Sequence, residues 1–350
     1  MKHATRWIPL ALLIALLPLS ACGETPSPSA PTTQARSSLP RALNPSVTDS
    51  DLQAVVSGNT AFAANLFQEL HSSSPNIFYS PYSISMALAM VRAGANGQTA
   101  TQMDEVLHFS LDQARLNPAW NALDQKITSL QKQSDSQNPD AFKLSVVNAL
   151  WGQEDYTFLP AYLDLLATNY GAGMHVLNFE ANPDQARQTI NDWVSRETEQ
   201  KINDLLPPQS ITELTRLVLT NAVYFKAAWE HPFDKQATQE GAFTLPDGRL
   251  TSVPMMSQEA VFPYLHGDGY QAVELPYVGG ELSMLVVLPA PDQMDAFAAA
   301  LDGPHLEALA QNLAPTPLAL KMPPFKIDST FALADTLAKM GMTDAFNPDL

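Results

Sequence analysis

The stretch NIFYSPYSISMALAM, Asn76–Met90, places three serines at the mouth of an apolar run. A serine among apolar residues can be a nucleophile, a helix cap or a buried polar latch, and each reading leads to a different protein. Ser80 stands directly before Pro81. That pair suits an N-cap followed by the first helical position: the hydroxyl accepts from an early amide, and proline lacks the donor that would be orphaned there. A mostly buried helix is expected over Pro81–Ala93, ended by the glycines of RAGANG (Arg92–Gly97). Ser83 falls one turn inside it. Ser85 reads as a small residue where another element packs closely.

The nucleophile reading finds no support along the chain. There is no G-x-S-x-G elbow. His3, His71, His108, His175, His231, His266 and His305 are scattered, with no H-E-x-x-H motif and no i,i+4 pair. Cys22 is the only cysteine, so a metal site in the body would need clustered His and carboxylates, and none cluster. GAGMHV, Gly171–Val176, imitates part of a dinucleotide loop but lacks the third glycine and a following helical pattern. Triads are geometric and can be assembled from distant segments, but no local feature points to one. No cofactor and no metal are expected.

The 350 residues are 45% hydrophobic, enough for one large domain or two ordinary ones. Nineteen Lys and Arg face 36 Asp and Glu, a net charge of −17. Such a surface repels phosphate backbones, so nucleic-acid binding is not expected.

Residues 1–21 read as a lipoprotein signal peptide. Lys2 and Arg6 form a short positive region, and WIPLALLIALLPL (Trp7–Leu19) is apolar but short for a membrane span. LSAC, Leu19–Cys22, resembles a lipobox, which implies that Cys22 is lipidated and becomes the mature N-terminus. An ordinary signal peptide with a chance cysteine beside its cleavage site is the other reading. Loss of Lys2 and Arg6 takes the net charge from −17 to −19. The exported body then has no thiol, so packing rather than disulfides must hold it. Residues 22–48 are rich in Pro, Ser and Thr and read as a disordered tether. A flexible chain of that length spans about 28 Å.

The folded body is expected over 49–350. Leu52, Val55, Val56, Phe62, Ala63, Leu66, Phe67 and Leu70 keep helical spacing. Ile77–Tyr79 is a short strand candidate, Gln98–His108 and Leu111–Leu130 suggest helices, and Lys143–Trp151 suggests a strand. Tyr156–Tyr170 and Pro183–Glu199 read as helices, the second with Asn182 as its N-cap. RLVLTNAVYF, Arg216–Phe225, is nearly all apolar and β-branched, a central strand covered on both faces, with Asn221 stranded in its middle. From Gly241 to Pro289 the pattern is strand and turn, with a turn signal at Asp247-Gly248. Short helices follow at Asp292–Asp302 and Pro304–Leu313, then a strand in LALKMPPFKID, then a helix over Phe331–Met340. Helices dominate the first half and strands the second, an α+β pattern. Buried polar groups need partners. A helix whose first turn offers hydroxyls and a strand offering an amide could satisfy each other.

At this point the residues resemble the serpin family. NIFYSPYSISMALAMVRAGANGQTATQM is similar to its second-helix signature, and VVNALWGQEDYTFLPAYLDLLATNYGAGMHVLNF to its fifth-helix region. WVSRETEQKINDLLPP, TNAVYFKAAWEHPFD and PPFKIDSTFALADTLAKMGMTDAFNPDL match later segments in kind and order. The resemblance implies three β-sheets and about nine helices, with a five-stranded sheet A that can open. It implies an inhibitor of serine or cysteine proteases, not an enzyme: a reactive loop is cleaved, inserts into sheet A and carries the acylated protease with it. Such folds are metastable. A non-inhibitory serpin-fold protein that binds a partner is the alternative.

Carried over residue by residue, Asn76, Ser80, Ser83 and Asn221 fall where the family has a "shutter" network beneath sheet A, and Trp229 falls at the "breach" where the loop enters. Ordinary capping and polar packing for the first group, and a plain core role for Trp229, remain the simpler readings. The family continues past TDAFNPD with another sheet A strand, the hinge, the reactive loop and strands of sheets B and C. The chain is therefore expected to lack a reactive centre and to be C-terminally truncated. The implied partners are a target protease and, through Cys22, a membrane. The implied location is the periplasmic or extracellular face.

Overall fold

The computed structural model describes residues 33–71, 76–137, 142–245, 248–327, 329 and 332–347; for residues 131–137, 145 and 147 it describes the backbone alone. The expected signal segment, Cys22 and the first part of the tether lie outside the described residues, as does Asp247 of the expected turn.

Nine α-helices occur among the described residues: α1 (Asp49–His71), α2 (Pro81–Arg92), α3 (Gly97–Val106), α4 (Gln113–Gln137), α5 (Pro160–Leu165), α6 (Pro183–Glu197), α7 (Met294–Ala300), α8 (Gly303–Gln311) and α9 (Leu333–Met340). Helix α2 is the centre of the first half. Every residue from Ser83 to Met90 is buried, as expected for a helix that is apolar all round. Val55, Phe62, Leu66 and Leu70 of α1 pack in the same core as Met86, Leu88 and Met90 of α2 and Trp120 of α4.

Three local expectations change. Ile77–Tyr79 forms no strand: the Phe78 amide donates to the Ser329 hydroxyl at 3.0 Å rather than to a neighbouring strand. The helix expected to start at Tyr156 starts at Pro160 and runs into a π-helical turn, Leu166–Tyr170. Asn182 holds the N-cap position of α6 but makes no side-chain cap bond.

The first sheet has the order β1 (Thr33–Ala35), β3 (Met174–Leu177), β2 (Phe142–Gln153), β4 (Leu217–Ala227). Strands β2 and β4 are antiparallel from Phe142↔Ala227 to Gly152↔Leu217, β2 and β3 are parallel, and β1 and β3 antiparallel. Side chains alternate across a strand, so β2 serves two cores. Leu150 packs with α1, α2 and α4. Ala149 and Trp151 pack with Ile190 and Val194 of α6. A five-stranded sheet was expected; the described residues give four strands, and β1 comes from the segment expected to be a free tether.

The second sheet contains β5 (Gln239–Thr244), β6 (Leu250–Gly267), β7 (Tyr270–Pro276), β8 (Ser283–Pro289) and β9 (Ala314–Met322). Two further sheets were expected. Among the described residues one long strand joins them, because β6 pairs with β5 over Leu250–Met255, with β9 over Met256–Tyr264 and with β7 over Tyr264–Gly267.

Residues 33–44 form a strap rather than a free chain. Strand β1 pairs with β3, Arg36 Nη2 donates to the Gly171 carbonyl at 3.3 Å, and the Ser37 hydroxyl donates to Asp164. Arg41 Nε donates to Asn121 Oδ1 at 2.8 Å and Nη2 pairs with Asp124 at 2.6 Å. The Ala42 amide donates to the Thr168 carbonyl at 2.8 Å, inside the π-turn. Asn121 and Gln125 both donate to the Ala42 carbonyl, at 2.9 and 3.0 Å. These donors and acceptors satisfy an extended backbone that a composition rich in Pro and Ser does not reveal.

Candidate functional site

Ser80 caps α2 as expected. Its backbone is extended (φ −115°, ψ 101°), Pro81 takes the first helical position, and the Ser83 amide donates to Ser80 Oγ at 3.3 Å. Ser83, one turn in, is fully buried. Its hydroxyl accepts from Asn221 Nδ2, and the same amide donates to Asn148 Oδ1. Asn148 and Asn221 sit directly opposite each other in the β2–β4 ladder, so both amides leave the sheet on the face that α2 covers. A three-residue polar cluster thus joins two strands and the helix beneath them, inside an otherwise apolar stack.

The arrangement fastens more than it catalyses. Ser83 Oγ is an acceptor in this cluster, whose bonds run from one side-chain amide to a hydroxyl and to a second amide, with no histidine or carboxylate among them. Net hydrogen bonds are worth about 1 kcal/mol each, but leaving a buried partner unsatisfied costs about 1–3 kcal/mol. The cluster is therefore stable while closed and costly to leave half-made. Ser85, also fully buried, has a hydroxyl without a partner among the described residues; close packing is its role. Asn76 is exposed, four residues ahead of the cap.

Sequence reasoning missed Asn148. The signal was available: a polar amide in the middle of LSVVNALW is the same anomaly as Asn221 in the facing strand. On the other face of the sheet a second buried contact ties the same two strands, Trp151 Nε1 donating to Thr220 Oγ1 at 3.0 Å.

Trp229 lies just past the end of β4 and is half-buried. It stacks on Tyr277, with ring centroids 4.6 Å apart and planes at 13°, and the two residues form an isolated β-bridge. Phe225 meets the edge of Tyr277 at 5.3 Å. The Glu230 amide donates to the Pro276 carbonyl at 2.9 Å, and the Val278 amide to the Ala228 carbonyl at 2.9 Å. This aromatic stack links the end of β4 to the β7–β8 region of the second sheet. Burial pushes the Tyr277 hydroxyl above its ordinary pKa, so it stays a neutral donor.

Comparison with known proteins gives one consistent answer. The family model described as serpin (serine protease inhibitor) matches residues 57–350. A serpin-like protein of Thermococcus kodakarensis is 35% identical over 323 residues, covering 92% of this chain and 73% of that protein. Leukocyte elastase inhibitor A of Rattus norvegicus is 36% identical over 307 residues, covering 85% of this chain and 79% of that protein. The structure of emu ovalbumin (Dromaius novaehollandiae) superposes with a TM-score of 0.77 at 30% identity, covering 84% of this chain and 79% of that one. With the family model matching residues 57–350 and relatives 35–36% identical over most of both chains, the chain belongs to the serpin family.

Proposed function

We propose that this protein inhibits a serine or cysteine protease by offering a reactive loop that inserts into the first sheet after cleavage. The observation that carries the reading is the Ser83–Asn148–Asn221 cluster. A static core strand has no use for a buried polar fastener, whereas a sheet that must stay shut and then open does. In the proposed reaction the protease nucleophile attacks a loop carbonyl, the peptide bond breaks, the amine leaves and an acyl-enzyme ester or thioester forms. Insertion of the freed loop as a strand then moves the acylated protease before water can release it. The names of the inhibitory relatives support the target class.

We further propose that the protein is exported and held at a membrane through lipidated Cys22. The lipobox-like LSAC and the apolar segment before it support that reading.

The complete protein, mixed with a panel of serine and cysteine proteases, is expected to form a covalent complex that survives denaturing electrophoresis with at least one of them. Clean loop cleavage by every protease, with no complex, would overturn trapping and favour the alternative, a non-inhibitory binding protein on the same fold.

A further inference from the structure

Strand β2 runs from Phe142, opposite Ala227 of β4, to Gln153, opposite Leu177 of β3. At about 3.3 Å per residue its two ends are roughly 36 Å apart. Strand β1 is antiparallel to β3, with Thr33 against Val176, so the chain ahead of Thr33 leaves the sheet at the Gln153 end. Cys22 is eleven residues before Thr33. A chain of that length spans about 18 Å on average and at most about 40 Å. Three large apolar side chains are exposed on turns at this same end: Tyr156 at 57%, Leu159 at 72% and Leu214 at 78%. The turns are held together and held in shape. The Gln153 amide donates to the Arg216 carbonyl at 3.0 Å, the Tyr156 amide to the Gln153 carbonyl at 3.1 Å, and the Thr215 amide to the Thr212 carbonyl at 3.0 Å. Phe158 folds back on Gly152, where a Cβ would meet its ring at 2.5 Å, while Tyr156 and Leu159 on either side of it stay outside. Glu154, Asp155 and Glu213 are exposed beside them. Arg216 is the nearby cation, and its Nη1 donates to the Glu213 and Thr215 carbonyls at 2.7 and 3.1 Å.

Single exposed apolar residues are ordinary, and Leu250 and Leu288 are exposed elsewhere. What sets Tyr156, Leu159 and Leu214 apart is that the segment leading to Cys22 arrives beside them. We infer that this end of the domain is a docking surface for a lipid bilayer, engaged when Cys22 is anchored as proposed above. Leucine side chains enter the acyl boundary, and a tyrosine ring sits at the headgroup level with its hydroxyl in water. Three such side chains hold a bilayer weakly by themselves, but a short tether raises the local concentration to about the millimolar range. The flanking carboxylates repel anionic headgroups, so the surface that fits is zwitterionic. Docking by this end turns the Trp229–Tyr277 end of β4 outward, away from the membrane. That orientation leaves an inserting loop open to soluble proteases, a consequence that rests on the inhibitory reading; the docking rests on the tether alone.

The test supplies the tether chemically. Thr32–Leu350 is a compact unit by itself, so the mature protein, from Cys22 on, is used. Its one thiol, Cys22, is coupled to a maleimide headgroup lipid in phosphatidylcholine vesicles whose brominated acyl chains quench nearby tryptophan. Tyr156→Trp reports on the proposed surface and Val278→Trp on the far end, where the Val278 amide donates to the Ala228 carbonyl. Emission from Tyr156→Trp is expected to be quenched severalfold more than that from Val278→Trp. Adding Leu159→Glu and Leu214→Glu, both at exposed positions, is expected to abolish the difference. Phosphatidylglycerol in the vesicles is expected to weaken the quenching at low salt, with recovery as salt screens the carboxylates. No quenching of Tyr156→Trp, equal quenching at both ends, or quenching that survives the two glutamates would overturn the proposal. So would a blue shift of Tyr156→Trp that grows with protein concentration in the absence of vesicles, which would make a second copy the occupant. Cellular acylation takes no part in the coupling. Absence of a lipid label on Cys22 in cells would therefore defeat the anchor reading and leave the vesicle result intact, and failure of docking on vesicles would leave both the anchor and protease trapping intact.

Discussion

Strand β2 has two flanks, and they are held in different ways. Toward β4 the backbone ladder is long, running from Phe142↔Ala227 to Gly152↔Leu217, and side chains fasten it on both faces. Asn221 bonds Asn148 and Ser83 beneath, and Trp151 bonds Thr220 above. Toward β3 the ladder is short, Leu150↔Met174 to Gln153↔Leu177, followed by the three residues of β1. Side chains of the strap, not ladder bonds, carry that flank: Arg36, Ser37 and Arg41 reach Gly171, Asp164, Asn121 and Asp124. The long ladder carries a polar fastener inside its core. The short ladder carries a clamp outside it.

The largest effect is expected at the fastener. Asn221→Leu in the complete protein removes the donor that both Ser83 and Asn148 face, leaving two buried polar groups unmatched. The cost is expected to be roughly 2–4 kcal/mol, read from denaturant unfolding. Because the loss falls on the seam between β2 and β4, the variant is also expected to form polymers or a latent form on mild heating. An unchanged unfolding curve together with unchanged polymerisation would break the contrast between the flanks, because it would mean that the ladder alone holds the β4 side.

The β4 flank was largely legible in the sequence, and the β3 flank was not. Ser80-Pro81 announces a helix start through local chemistry alone, and an asparagine inside RLVLTNAVYF announces a buried partner because the alternative is costly. Asn148 carried the same mark and needed only to be paired with Asn221 by register, which is a long-range property. The strap defeats composition. Its prolines and serines look solvated, yet its backbone is satisfied by Asn121, Gln125 and a π-turn more than 75 residues away along the chain. The join of two expected sheets through β6 is likewise set by which strands flank it, not by its own pattern. Trp229 was placed by resemblance, but its partner Tyr277 could be found only in three dimensions.

A smaller effect is expected at the clamp. Arg41→Ala deprives Asn121 and Asp124 of their charged donor. Arg41 is partly exposed, so the loss is expected to be about 1–2 kcal/mol. The diagnostic readout is local: limited proteolysis within residues 36–48 is expected to speed up severalfold, while the polymerisation behaviour tied to Asn221 stays as it was. Polymerisation rising as much as in Asn221→Leu would show that both flanks guard the same opening.

The smallest effect is a pH dependence of the β3 flank. His175 is buried, stacked on Trp151 with centroids 4.3 Å apart and edge-on to Trp193 at 5.4 Å. The Gln34 side-chain nitrogen of the strap lies 3.3 Å from both of its ring nitrogens. Burial holds the imidazole below its ordinary pKa of 6.5. With the folded value depressed, the unfolded chain binds the proton first as pH falls, so stability is fully present above about pH 6.5 and declines below it until the folded imidazole is itself protonated. Amide exchange at His175 and Val176 is expected to quicken over that window, accompanied by quenching of Trp151 fluorescence as an imidazolium forms against the indole. Exchange at Asn148 and Asn221 is expected to stay level, because no histidine takes part in that cluster's bonds. His175→Phe keeps the aromatic stack and removes the proton, so the pH slope is expected to vanish in that variant. A slope that survives the substitution, or one of equal size at Asn221, would assign the acid sensitivity to something other than the strap-bearing edge.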